Sequence, residues 1–269
     1  MVVDIGNTNI VCAVYKSGQA VWSVRLTSNR MKTSDEYFAM LNSMMRNYHN
    51  SLIGNGQENS NNFSTDEIQY VALGSVVPEL TRVWRHLFRK YFSATVYEID
   101  GLSPLGLQYK IKDPSFIGAD LVANAFAAWK KYKSSAIVID LGTATTIQEV
   151  SSKGVFEGAI IAPGLKTGAA NLFSMAAQLN ELELVSPKVL LGNNTSDAVL
   201  SGIVYGHAFM LENFITKLKL QYFDHKPITT ILCGGMAELI KPLLPSADIV
   251  DKSLTLDGFY LGLQVLLQG

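Results

Sequence analysis

Two short stretches of this sequence put a carboxylate, a glycine and small polar side chains at the end of an apolar run. The first reads DIGNTN from Asp4, and the second reads DLGTATT from Asp140. Asp4, Gly6 and Gly18 recur as Asp140, Gly142 and Gly154, at one constant offset of 136 positions. Glycine has no Cβ, so backbone N–H groups at such a turn can come close to a ligand. Asn7, Thr8, Thr143, Thr145 and Thr146 add amide and hydroxyl groups suited to phosphate oxygens. The aspartates would repel phosphate unless a cation lay between. A single Asp-x-Gly turn is common in ordinary hairpins. Two in register point to paired phosphate-gripping hairpins facing each other across a cleft with a nucleotide between them; the competing account is two hairpins that match by descent alone. Asp120, in "GAD" at the start of a helical pattern, reads from its position as a carboxylate that stabilises the exposed N–H groups of the first turn.

The elements that must position these residues alternate along the chain. "IVCAVY" and "QAVWSVRL" read as strands joined by the turn "KSG". Residues 34–48 read as a helix, 49–65 as an exposed polar loop, "IQYVALGS" as a buried strand and "ELTRVWRHLFRKYF" as an amphipathic helix. Its Arg82, Arg85, Arg89 and Lys90 fit a solvated face better than a binding patch. A helix from Gly118 leads into the second Asp-x-Gly unit. "VFEGAIIAPG" is a strand ending in a Pro-Gly turn, and a long helix over 196–220 is interrupted or closely packed at Gly202 and Gly206. "ITTILCGGMAEL" is strand, glycine pair and helix, and a last helix closes the chain. This repeated alternation predicts an α/β fold made by duplication, divided into 1–117 and 118–269, with the last helix packing back on the first half.

Composition narrows the function classes. With 48% hydrophobic and 17% charged residues and a net charge of −1, the chain has no basic footprint for nucleic acid. No apolar run reaches the roughly 18 residues of a membrane span, and the start lacks a signal-peptide layout. The expected setting is therefore cytoplasmic. Cys12 and Cys233 sit in apolar stretches and read as core residues. Trp22, Trp84 and Trp129 have core-like spacing, and His207 reads as a core or interface histidine.

The order "DIGNTN", "DP" then "GAD", "DLGTATT", "GAIIAPG", "NTSDAVLSG" and "GG" resembles the type III pantothenate kinases, also called the Bvg accessory factor family, within the actin-like ATPase superfamily. The likeness runs from about residue 3 almost to the end. It implies two ribonuclease-H-like domains and phosphorylation of pantothenate by ATP, the first step of coenzyme A synthesis. It further implies Asp120 as the base and Asp140 as ligand to a monovalent cation, potassium or ammonium, with magnesium accompanying ATP. Asp4, Ile5, Gly6, Asn7, Thr8, Asn9, Ile10 and Val11, with Gly142, Thr143, Gly234 and Gly235, would hold ATP. Gly118, Ala119, Asp120, Leu121, Thr195 and Ile111 would line the pantothenate site. A homodimer is implied, with that site near the subunit interface.

Two positions depart from the family pattern. Leu121 stands where the family has Arg, and Ile111 where it has Tyr. Tyr109 shares the face of Ile111 only if the segment is extended. Leucine cannot replace a guanidinium's charge and donors. The alternatives are a catalytically impaired nucleotide-binding or regulatory member of the family, or a kinase for another small hydroxyl compound.

Overall fold

The structure is a computed structural model and describes residues 1–54, 63, 65–176, 179, 181–222 and 228–268. Of the polar loop expected at 49–65, residues 49–54 instead continue the helix that starts at Ser34, while 55–62 and 64, and also His225, lie outside the described residues. The chain divides into two compact units, one of residues 1–105, 113–123 and 255–269, the other of 106–112 and 124–254. The sequence division between 117 and 118 follows the repeat, whereas these units follow contact, so segments are exchanged near 106–123 and at the last helix.

The first unit holds β1 (Val2–Ile5), β2 (Asn9–Lys16), β3 (Gln19–Thr27), α1 (Ser34–Gly54), β4 (Tyr70–Ser75), α2 (Pro78–Tyr91) and β5 (Thr95–Glu98). Its sheet runs β3-β2-β1-β4-β5, with β1 to β3 an antiparallel meander and β4 and β5 added in parallel. Next come β6 (Gln108–Tyr109) and α3 (Ala119–Tyr132), a helix whose residues fall in both units. The second unit continues with β7 (Ser135–Leu141), β8 (Ala144–Val150), β9 (Val155–Pro163), α4 (Leu165–Met175), α5 (Thr195–Leu200), α6 (Gly206–Tyr222), β10 (Ile228–Cys233), α7 (Ala237–Ile240) and β11 (Ile249–Val250). The chain closes with α8 (Leu254–Leu266).

The second sheet runs β11-β10-β7-β8-β9-β6. Again the first three strands, β7 to β9, form an antiparallel meander, and β10 and β11 add in parallel. The topology of the first unit is thus repeated strand for strand, with β6 as an extra edge. The glycines at the second turn of each meander repeat too. Gly18 and Gly154 have φ of 84° and 77°, left-handed backbone that glycine adopts without a Cβ penalty. The fold is the duplicated α/β architecture that the repeat predicts, in the form of the two ribonuclease-H-like domains that the resemblance implies.

Local sequence explains the packing. On α2, Leu80, Trp84, Leu87 and Phe88 fall at helical spacing and are fully buried. Pro78 starts that helix, and Arg89 and Lys90 occupy its last turn, where cations favour the helix dipole. The expected solvated face is present: Arg85 pairs with Glu98, and Lys90 lies 3.0 Å from Asp35, both at the surface. Ile137, Ile139 and Leu141 of β7 pack with Leu211 and Ile215 of α6. Cys12 and Cys233 are both buried thiols. Trp22 and Trp84 are buried, and Trp129 is partly so.

The long helix differs from expectation. It is continuous over Thr195–Tyr222 but has a π-helical turn, Ser201–Tyr205, which contains Gly202 and ends just before Gly206. A π turn inserts one residue into the helical ladder, and such turns gather at functional sites. The stretch Thr195–Gln221, with mean hydropathy 1.3, is long and apolar enough to cross a membrane, contrary to the reading from apolar runs. It nevertheless sends Val204, Leu211 and Ile215 into the core of its own unit.

Candidate active site

Each Asp-x-Gly turn follows the central strand of its sheet, and each is fastened differently. In the first unit, Asp4 is half-buried on β1 between Val11 of β2 and Gly74 of β4. Gly6 N–H donates to the Asn9 carbonyl at 2.9 Å, closing the turn. Ser28 holds it from outside: its hydroxyl donates to the Gly6 carbonyl at 2.6 Å, and its N–H to the Thr8 carbonyl at 2.9 Å. Asn7 and Thr8 are exposed, whereas Ile5 and Ile10 are fully buried and can offer a ligand only backbone. Burial, and then the Asp4 charge, push the Cys12 thiol well above its ordinary range, so it is inert.

In the second unit, Asp140 lies beside Cys233 of β10 and Thr146 of β8. The fully buried Asn124 of α3 donates through Nδ2 to Asp140 Oδ2 at 3.2 Å. Gly142 N–H donates to the Ala144 carbonyl at 3.1 Å, and Gly142 and Thr143 are exposed. The Thr143 carbonyl accepts from Gly164 N–H at 3.2 Å and from the Thr167 hydroxyl at 2.6 Å, which ties the turn to the start of α4. A Cβ on Gly164 would lie 2.3 Å from that carbonyl oxygen, so no larger residue fits. Thr145 is not available as the sequence suggests. It is fully buried, and its hydroxyl lies 3.0 Å from His207 Nε2, whose pKa burial lowers.

The glycine pair is asymmetric. Gly234 has φ of +84°, and a Cβ there would lie 2.4 Å from Asp140 Oδ1 and 2.6 Å from Leu141 N. Gly235 faces open space within 4 Å. Met236 N–H donates to the Leu141 carbonyl at 3.3 Å. The pair therefore holds the Asp140 turn on one side and leaves approachable backbone on the other.

Gly118, Ala119, Asp120 and Leu121 come together at the first turn of α3. Asp120 Oδ1 accepts from Leu121 N–H at 2.8 Å and lies where a Cβ on Gly118 would come within 2.5 Å of it. Burial raises the Asp120 pKa, and the backbone N–H groups of Leu121 and of Asp120 itself oppose the shift. Asp120 is thus a cap and a half-buried carboxylate at once, since one oxygen suffices for Leu121. Ala119 and Leu121 are buried, so their side chains do not reach a ligand.

Ile111 follows β6 in the other unit. Tyr109 packs on Phe156, ring centroids 5.9 Å apart, and regular pairing ends at Lys110 N–H, so no extended strand carries Tyr109 and Ile111 on one face. Thr195 is exposed at the first residue of α5, whose cap is Asn194, accepting from Asp197 N–H at 3.0 Å. Sequence reasoning missed Ser28, Asn124 and Thr167. Asn124 alone had a visible signal, a lone amide among the apolar residues of α3.

Among the described residues no three His, Cys, Asp or Glu side chains group as a metal cage. Asp4 and Asp140 remain hard oxygen donors, which fits cations held by one or two carboxylates and substrate phosphates.

The family model for type III pantothenate kinase matches residues 1–217. A type III pantothenate kinase of Geobacter sulfurreducens is 33% identical over 258 residues, 96% of this chain and 95% of that one. One of Roseiflexus castenholzii is 34% identical over 261 residues, 97% and 96% of the two chains. Among solved structures, a conserved Baf family protein from Campylobacter jejuni superposes with a TM-score of 0.60 at 18% identity, covering 100% and 99% of the chains. Component A of (R)-2-hydroxyglutaryl-CoA dehydratase from Acidaminococcus fermentans gives 0.54 at 13% identity, covering 98% and 95%. These two likenesses show the fold.

The asymmetry of the glycine pair yields a paired test. Gly234→Ala forces a Cβ into Asp140 at positive φ and should lower stability by about 1–3 kcal/mol. Gly235→Ala should leave it within about 0.5 kcal/mol, since nothing lies within reach. Urea denaturation of both variants reads the difference, and equal midpoints would refute the packing role.

Proposed function

The chain belongs to the type III pantothenate kinase family, and from that premise we propose that it transfers the γ-phosphoryl group of ATP to the primary hydroxyl of pantothenate, giving 4′-phosphopantothenate and ADP. The observation that carries the residue assignment is Asp120, a half-buried carboxylate at a helix start with one oxygen engaged by Leu121 N–H. Its other oxygen accepts the proton as the pantothenate hydroxyl oxygen bonds to the γ-phosphorus and the bond to the β,γ-bridging oxygen breaks. In a loose transition state the carboxylate chiefly orients the hydroxyl and takes the proton late.

The phosphates are taken by backbone and side-chain groups of 6–9 and of 142–143, with Gly235 as approachable backbone toward the nucleoside. Asp140, steadied by Asn124, would hold a monovalent cation, and Asp4 would be a carboxylate ligand for the magnesium that accompanies ATP. These cations supply neutralisation of phosphate charge. Gly118 and Thr195 contact pantothenate. Ala119 and Leu121 contribute backbone only, so the pantothenate carboxylate finds its partner elsewhere than at position 121.

A homodimer is part of this reading. On the second unit Ile161, Leu172, Met175 and Phe209 are exposed apolar side chains, with Met175 87% exposed. Beside them Gly164, Leu165, Ile203 and Met210 help line an open apolar cavity of about 300 Å³. A second copy covering this face would remove it from water. Changing Met175 and Phe209 together to Asp should convert a dimer to a monomer in light scattering after size exclusion. A wild type that is already monomeric would end this part of the proposal.

Asp120→Asn tests the base. Asparagine keeps an acceptor for Leu121 N–H, so folding should be retained while kcat falls by about 10²–10⁴. Because burial raises the Asp120 pKa and the base must be ionised, activity should fall on acidification at a pH above the ordinary carboxylate value of about 3.9. The acid limb of kcat against pH reads this directly. Potassium-dependent ADP release that requires pantothenate is the accompanying expectation. A folded protein that binds ATP without turnover would point instead to an impaired, nucleotide-binding member of the family.

A further inference from the structure

Away from the turns, the second unit contains a cavity of about 350 Å³ between the far ends of β8 and β9 and the last turns of α6. Its walls are mainly apolar, with Ile147, Ile160, Phe214 and Leu218 among them. Glu149 lies in its lining. This side chain is only 7% exposed and hydrogen-bonds to no described residue. A buried carboxylate without a hydrogen-bond donor is costly to keep charged.

The local backbone makes the space. Glu149 pairs with Gly158, and Val150 with Phe156, so Glu157 is the extra residue of a β-bulge. Bulges re-aim side chains and gather beside functional sites. Directly opposite Glu149, Gly158 has nothing within 4 Å of where a Cβ would sit. A small residue there leaves the cavity open over the carboxylate.

The neighbours leave Glu149 uncompensated. From β9 comes Glu157, which is paired with Lys110 just beyond β6. From α6 comes Lys217, exposed in the lining and making no ion pair among the described residues. The partner of Glu149 on β7 is the apolar Ile137. Burial first, and then the Glu157 charge, raise the Glu149 pKa to about 7, against an opposing effect from Lys110.

We propose that this cavity binds a small organic cation, an ammonium or guanidinium group on a short hydrocarbon chain, with its charge on Glu149 and its chain against Phe214, Leu218 and Ile160. An inorganic cation needs several oxygen ligands at once, and of the two carboxylates in the lining Glu157 is already engaged by Lys110. The volume lies in the range of small-ligand pockets, whose usual chemistry is apolar walls with a few polar groups; here Glu149 is the buried charge, and Glu157, Lys217, Gln148 and Gln221 complete the polar part of the lining. The site lies in a different part of β8 from the kinase residues and does not rest on their assignment.

Linkage sets the pH dependence. Below its pKa the free protein carries a proton on Glu149, and binding a cation must expel it. Affinity should therefore rise by about tenfold from pH 6 to pH 8 and then level off.

The test is calorimetric titration of n-butylammonium chloride, with n-butanol as the neutral control. Saturable binding of butylammonium alone, tighter at the higher pH and with proton release in the acid range, is the expected result. Glu149→Gln and Gly158→Leu should each weaken it by at least about tenfold while retaining the native melting transition. Gly158→Leu enters open space, so it decides the matter if Glu149→Gln unfolds. No saturable binding, equal binding of butanol, or unaltered binding in a folded variant would overturn the proposal.

Discussion

Everything in this protein is arranged around a polar end to an otherwise dry strand. β1 and β7 are the innermost strands of their meanders, and most of their side chains are fully buried. Each still carries a carboxylate near its C-terminal end, Asp4 or Asp140, where the strand turns sharply at a glycine. A carboxylate in such a place is tolerated only with hydrogen bonds or a cation beside it. The surroundings of Asp140 answer that demand: Asn124 is buried to donate to one oxygen, and position 234 is kept to glycine to make room for the other. Thr143 is then fixed through its carbonyl by Gly164 and Thr167. Stability spent on these contacts holds a polar turn rigid, which is what preorganised binding of a polyphosphate requires.

The duplication was legible because its signal is covalent spacing. Asp-x-Gly and the later left-handed glycine recur at one offset, and the backbone conformation that glycine serves recurs with them at Gly18 and Gly154. Amphipathic α2 and the buried β4 were equally readable, since their apolar periods match helix and strand. β6 and β11 were not, because each has two residues and is defined only by its neighbour. The π turn was visible only as two glycines. At its start the Ser201 hydroxyl bonds the Leu190 carbonyl, a contact between residues eleven positions apart that helical periodicity does not reveal.

At the site the sequence identified which residue types occur and erred on which of them face outward. Thr143, Thr145 and Thr146 look equivalent in a string of small polar residues. Strand alternation separates them: Thr143 is in the turn, while Thr145 points to His207. Ile5 and Ile10 were read as part of a binding segment, but their side chains belong to the core. The same physics bears on Leu121. At 8% exposure it fills space within a packed helix start, a place suited to a hydrocarbon and unsuited to an unpaired guanidinium. The departure from the family pattern is therefore locally consistent: the side chain turned inward, and the neighbouring Asp120 kept its cap.

One strand carries two kinds of polar demand, and they are resolved in opposite ways. Along β8, Thr145, Ile147 and Glu149 alternate onto one face. At the turn end of that face Thr145 is satisfied by His207. At the bulge end Glu149 has no hydrogen-bond donor or ion-pair partner among the described residues, although it is buried as deeply as ordinary core residues. A carboxylate left so in a purely structural position would be destabilising at every pH above its own pKa, and replacing it by a hydrocarbon of similar size would relieve the strain. Gly158 makes the arrangement still less economical, since it leaves open the space that a larger side chain would fill for packing. A bulge, a missing side chain and an unsatisfied acid coincide at one cavity, and a cationic occupant is the one arrangement that satisfies all three.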